Sequence, residues 1–314
     1  MLKNGALVVS LDTELEWGFH GFDTDHHLSD DGARERKLVR RLLDLFDRTD
    51  TSATWAIVGH LFLDHCDGTH SELSRPSYSH MSEDWYRDDP GSDCDAAPLR
   101  YGTSIIDAIE AAAADHEIAT HTFSHVLCDR DGCSSDVLYD ELQQCKQLAD
   151  QRGHELTSIV FPRNEIDHLQ TVADAGINVY RGRSSENVIR RDAPAGRYRK
   201  FARFLAYRPP PLVTPTEVRD GLWNLPASQY LPYGPFLQQT AALSLSPRVG
   251  RAKRAIELAK ERGEVFHLWA HPHNFDSSLL DDLESILSFA EENDVPRVTM
   301  RDAVAKATDG FKSS

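Results

Sequence analysis

Short apolar runs alternate with helical patterns along this chain, and that rhythm limits the fold more than any other feature. Residues 6–11, 53–58, 117–120, 158–161, 177–180, 222–226 and 265–270 read as buried strands bounded by turn formers. Between them, 30–47, 103–115, 136–153, 168–175, 246–262 and 276–293 carry helical periodicity. In the first of these, Leu38, Leu42, Leu45 and Phe46 share one face. A last strand at 297–300 precedes a closing helix. A helix between successive strands demands parallel pairing, in an open sheet or a barrel. With 314 residues and no internal repeat, the expectation is a single α/β domain over 1–314, with excursions near 66–98 and 183–220.

No run approaches the ~18 continuous apolar residues of a membrane span. The first apolar run is too short for a leader core and leads straight into carboxylates, so the chain is expected to be cytoplasmic. The net charge of -16, with 8 Lys against 26 Arg, fits a halophilic protein and disfavours general nucleic-acid binding. Five scattered cysteines do not form a disulfide framework, and Cys128 and Cys133 read as ordinary thiols near a loop.

The chemistry concentrates at strand ends. His121 and His125, four apart, suit two metal ligands on one helical turn or on a loop entering a helix. Alone the pair says little, because a chain with 15 histidines produces such spacings by chance. Asp12 and Glu14 strengthen it. They end the first strand, two residues apart, so both carboxylates face one side. One can bind a metal while the other acts as a base. The carboxyl ends of parallel strands carry the active site in such folds. Gly59-His60 ends the next strand on the same rim, as a further candidate ligand. His271 ends the strand 265–270 and is a candidate general acid, with His273 and His267 competing. Arg163, in Phe161-Pro162-Arg163-Asn164, can pair with a carboxylate and hold it ionised. Trp223 either packs on a sugar ring or belongs to the core.

This ordered set resembles the polysaccharide deacetylases of the NodB-homology type, carbohydrate esterase family 4. Ser10-Leu11-Asp12-Thr13-Glu14 looks like the first motif, in a variant subgroup with Asp-x-Asp or Asp-x-Glu. Residues 53–59 look like the following strand. His121-Thr122-Phe123-Ser124-His125 matches the metal motif, with Glu117 four residues before it. Phe161-Pro162-Arg163-Asn164 is a variant of the third motif. Asp220 and Trp223 fit the fourth loosely, and 266–271 resembles the last. The resemblance implies a distorted (β/α) barrel, commonly seven-stranded, and one divalent metal, zinc in the first instance with cobalt or nickel as alternatives. By carry-over, Glu14, His121 and His125 hold the metal, Asp12 is the base and His271 the acid. Arg163, Asn164 and Trp223 would meet the substrate.

The implied reaction removes an N-acetyl group from a sugar or glycan precursor, nucleotide- or lipid-linked. The alternative is hydrolysis of a cyclic amide or ureide on the same scaffold. The arginines of 181–203 and of the helix 246–262 would meet a phosphate or an anionic membrane surface.

Overall fold

The computed structural model describes residues 2–20, 27–79, 81, 83–184, 208–232 and 247–312, with side chains to 308. Its elements follow the alternation in the sequence. They are β1 (Ala6–Thr13), α1 (Ala33–Arg48), β2 (Thr54–Ile57), α2 (Thr103–Glu110), β3 (Glu117–Thr120) and α3 (Ser135–Gln151). Next come β4 (Ser158–Ile159), α4 (Leu169–Asp174), β5 (Val179–Tyr180), β6 (Thr216–Arg219), β7 (Leu222–Asn224) and β8 (Gln229–Tyr230). The chain then forms α5 (Pro247–Arg262), β9 (Val265–Ala270), α6 (Ser277–Glu292), β10 (Arg297–Val298) and α7 (Met300–Lys312).

The strands build one curled sheet in the order β6-β7-β5-β4-β3-β2-β1-β9-β8. Every neighbour pair on that path is parallel except β6 with β7. The seven-stranded expectation is corrected to nine strands on the path among the described residues. The added pieces are the β6 hairpin arm, four exposed residues with little apolar character, and β8, only two residues long, so neither stands out as an apolar run. β10 pairs with Leu7 and Val8, beneath β2, whose register begins at Ser10.

β1 explains how the site is supported. Leu7, Val9 and Leu11 face the helix layer and share a core with Leu42, Ile256 and Leu283. Ala6 and Val8 face inward, among Ala56, Ala119, Val160, Val179 and Val265. Met300, Ala303, Val304 and Ala307 of α7 join that inner cluster and close one end. Apolar residues fill the closed end, and the next inward positions, Ser10 and Asp12, are polar and buried. Burying such groups costs several kcal/mol unless they are paired, so the open end is built around their partners.

Two helices are capped as their sequences allow. Ser134 accepts from Val137 N and Asp276 from Leu279 N. Among the described residues no helix is long and apolar enough to cross a membrane.

The excursion at 66–98 packs into the fold. Tyr78, Trp85 and Tyr86 are buried, and Trp85 Nε1 donates to the Ser124 carbonyl at 3.1 Å, behind the His121–His125 motif. Of the second excursion, residues 185–207 lie outside the described part. Of the basic residues of α5, Arg254 is exposed and pairs with Glu257, whereas two others are spent inside the fold. Arg248 is buried against Asp282 at 3.0 Å, and Arg251 is buried and donates to the Arg208 carbonyl at 2.7 Å.

Candidate metal centre and active site

β1 ends at Thr13, and the backbone turns at Glu14 into a short 3-10 helix, Leu15–Phe19. This turn brings the Glu14 carboxylate back over the end of the sheet. Gly18 makes room for it: a Cβ there would lie 2.2 Å from the Glu14 carboxyl carbon. The His motif leaves β3 as a loop, not a helical turn. Thr122 and His125 take φ of 59° and 62°, in the left-handed region that non-glycine residues enter at a cost. That backbone, held by Val126 N donating to Thr122 Oγ1 at 3.1 Å, aims both imidazoles at one point. The i, i+4 spacing therefore works through strained loop geometry.

Glu14 Oε2 lies 3.1 Å from His125 Nε2 and 3.4 Å from His121 Nε2. All three residues are buried. His121 Nδ1 is 2.7 Å from the Val160 carbonyl, which can only accept, so Nδ1 carries the proton. In the neutral ring its Nε2 then presents a lone pair towards a carboxylate. A cation between them resolves that repulsion, and two imidazoles with one carboxylate suit a borderline divalent ion. The three ligand atoms lie within 4.8 Å of one another. Burial pushes the Glu14 carboxyl up, but His271, His121 and His125 outweigh it and hold it well below the usual range.

Asp12 stands apart from that cluster. Arg181 Nη1 donates to its Oδ1 at 2.6 Å and Nη2 to its Oδ2 at 2.7 Å. Burial raises the Asp12 carboxyl, and the Arg181 guanidinium brings it below its ordinary value. Arg181 is itself buried, stacks 4.4 Å over Trp269, and donates to Ser10 Oγ at 3.1 Å. The partner of Asp12 is thus Arg181, not Arg163. Arg163 has φ of 52°, which turns its side chain towards the His20 carbonyl, 2.9 Å away. Arg181 sits directly after β5, and that strand-end position was its only signal in the sequence. Asn164 does reach the site, accepting from Arg181 Nη2 at 3.3 Å.

His271 follows β9, with Nε2 3.6 Å from Glu14 Oε1 and 3.8 Å from Asp12 Oδ2. Its Nδ1 is 3.4 Å from the Tyr230 hydroxyl, a neighbour supplied by the unforeseen β8. His267 stays inside β9, 2.9 Å from Ser10 Oγ, and His273 packs beside His271. Trp223 pairs in register with Val179 and packs against the apolar cluster of the closed end, away from these groups. Glu117 is buried at the start of β3 and accepts from Ser158 and Thr54 hydroxyls at 2.5 and 2.8 Å. His60 turns away from Glu14 towards Asp89, 3.0 Å distant.

Residues 28–179 match the family described as polysaccharide deacetylase. The chain is similar to that family over this stretch. That match makes the chain a hydrolase of N-acetyl C–N bonds, with an acetylated carbohydrate as its class of substrate. A candidate polysaccharide deacetylase from Mycobacterium smegmatis shares the fold at TM-score 0.60 and 16% identity, over 99% of this chain and 92% of that one. Another from Pseudomonas aeruginosa PAO1 aligns at TM-score 0.54 and 12% identity, over 96% and 91%. A GH57-type branching enzyme from Pyrococcus horikoshii aligns at TM-score 0.55 and 11% identity, over 96% and 70%. At these identities the likeness concerns the fold alone. No curated protein matches the chain.

Proposed function

We propose that the deacetylase hydrolyses the N-acetyl group of a sugar or glycan precursor at a single divalent metal, zinc in the first instance, held by Glu14, His121 and His125. The observation that carries this reading is the convergence of His121 Nε2 and His125 Nε2 on Glu14 Oε2, at 3.4 and 3.1 Å, with His121 Nδ1 tied to the Val160 carbonyl. A divalent metal at these ligands would polarise the acetyl carbonyl and acidify a water.

The remaining steps belong to side chains. Asp12 is held ionised by Arg181, which uses two of its four lone-pair directions and leaves the others free to take the water proton. Water adds to the carbonyl carbon, the C–N bond breaks and acetate leaves. His271, reachable from solvent and 3.6 Å from Glu14 Oε1, hands a proton to the departing amine nitrogen. Asn164 and Arg181 keep the Asp12 carboxylate in one orientation. The Asp12-Thr13-Glu14 spacing, in this reading, marks a variant subgroup in which the base and the ligand come from alternate residues.

Acetate release is the test, measured across N-acetyl sugar nucleotides, lipid-linked sugars and chitooligosaccharides at low and high salt. His271→Gln is expected to lower kcat by roughly 10²–10⁴ with metal content unchanged. Retained turnover in that variant would remove His271 as the acid. Release of ammonia or a ring-opened ureide, without acetate, would overturn the N-deacetylase reading.

A further inference from the structure

A second group of ligand-type side chains lies on the other side of the His121–His125 motif. His60 follows β2, in the short 3-10 helix Gly59–Phe62. Cys66, His70 and Asp89 come from the stretch 63–102, which has no helix or strand among its described residues. Stretches of that length without regular structure are uncommon in compact domains unless something holds them. Local turns bring the three together. Thr69 N donates to Asp67 Oδ1 at 2.8 Å and Gly91 N to Asp89 Oδ1 at 3.1 Å. Gly91 has φ of 57°, and a Cβ there would stand 2.5 Å from the Asp67 carbonyl oxygen, so glycine is what lets the two turns touch.

The resulting distances are those of a coordination shell. His60 Nε2 is 3.0 Å from Asp89 Oδ2 and 3.5 Å from Cys66 Sγ. His70 Nε2 is 2.8 Å from Asp89 Oδ2, and Cys66 Sγ is 3.5 Å from the same oxygen. The four ligand atoms lie within 4.8 Å of one another. Ligands about 2.0–2.3 Å from a tetrahedral ion sit roughly 3.3–3.7 Å apart, so a small outward relaxation seats one.

The surrounding hydrogen bonds orient the ligands. His60 Nδ1 lies 2.9 Å from the Arg100 carbonyl. A carbonyl only accepts, so Nδ1 carries the proton, and a neutral ring then turns a lone pair from Nε2 towards Asp89 and Cys66. The Tyr101 hydroxyl is 3.0 Å from Cys66 Sγ.

We propose that His60, Cys66, His70 and Asp89 form a second, structural metal site that takes one zinc-type divalent ion. One thiolate and one carboxylate balance the ion's two charges, which a buried site requires. Binding releases the Cys66 proton. Cys66 is half-buried, which leaves an entry path on its side. The sulfur and imidazole donors select zinc-like ions over magnesium or calcium. The His60 and His70 rings lie 5.6 and 5.4 Å from the Phe123 ring, in the middle of His121-Thr122-Phe123-Ser124-His125. The site therefore pins the 63–102 stretch against the back of the catalytic motif. This proposal is independent of the catalytic one.

The test is metal content and cobalt spectroscopy of the purified full chain, neither of which needs substrate. Zinc-loaded, dialysed protein is expected to hold two equivalents. His121→Ala/His125→Ala is expected to keep one, and Cys66→Ser/His70→Ala to keep the other. Loaded with Co2+, the unsubstituted chain and His121→Ala/His125→Ala should both show a thiolate-to-cobalt charge-transfer band that Cys66→Ser abolishes. The unsubstituted chain supplies that readout even where a variant fails to fold. One equivalent lost entirely with His121 and His125 would overturn the site. So would cobalt loading without a thiolate band, or a band that persists in Cys66→Ser. Each of those results means that these four residues do not hold a metal.

Discussion

Arg181 grips Asp12 with both terminal nitrogens, at 2.6 and 2.7 Å, and both side chains are buried. The pair joins the end of β5 to the end of β1, two strands separated by β2, β3 and β4 in the sheet order. It thereby ties two distant strand ends together and favours the charged form of Asp12.

Removing one partner strands a buried charge, which typically costs about 3–5 kcal/mol. Arg181→Met is therefore expected to lower unfolding free energy on that scale and to abolish turnover. Arg181→Lys keeps the charge but loses the two-point grip. Asp12→Asn/Arg181→Met should recover much of the stability and none of the activity. Denaturant unfolding beside an acetate assay measures both. A double variant no more stable than Arg181→Met alone would contradict the pairing argument.

Gly18→Ala probes the proposed metal centre without replacing a ligand. The added methyl would lie 2.3 Å from Glu14 Oε1. Glu14 cannot move away without leaving His121 and His125, so metal affinity is expected to drop by at least tenfold while the helical circular dichroism stays unchanged. Titration with zinc in the presence of a competing chelator decides it. Unaltered affinity would show that Glu14 is not fixed by this contact.

Glu141 supports the motif from behind. Its carboxylate accepts from Ser124 N at 2.7 Å, Ser124 Oγ at 2.6 Å and the Tyr86 hydroxyl at 2.9 Å. Glu141→Ala leaves these donors buried and unpaired. Losses of supporting partners of this kind typically cost 10–100-fold in metal affinity. That range is expected here, together with a lower Tm. Glu141→Gln, which keeps one acceptor, should lose less. Equal losses in both variants would count against the hydrogen-bond account.

Stability is expected to fall in mild acid. Burial pushes His267 down to about 3 and His116 down to about 4. In the unfolded chain both titrate near ~6.5. Between those values the unfolded chain binds protons that the folded chain refuses. Stability is thus fully present above pH ~6.5 and declines as pH falls through 5 towards 4, by up to about 1.4 kcal/mol per pH unit for each such histidine. His267 is held between Ser10 Oγ at 2.9 Å and the Pro226 carbonyl at 3.2 Å. His267→Gln should reduce the slope by about one proton. Urea unfolding from pH 7 to 4 measures it, and a slope unchanged by the substitution would reject the assignment.

The sequence alone determined the parallel α/β order of the chain, because apolar runs and helical periodicity encode burial locally. It also determined that Asp12 and Glu14 leave one strand together and that His121 and His125 follow another, because period-two alternation and motif spacing are local properties. Tertiary structure decided which of these groups meet. Arg181 reaches Asp12 across the curled sheet, and Arg163, with its left-handed backbone, reaches the His20 carbonyl instead. His271 acquires Tyr230 from a two-residue strand with no apolar signature. His60, read as a rim ligand beside Glu14, instead faces Cys66, His70 and Asp89, because two glycine-bearing turns fold a 40-residue stretch back onto it. Contacts between segments far apart in sequence depend on strand order, sheet curl and turn geometry, and none of these is written in the residue types at the positions that meet.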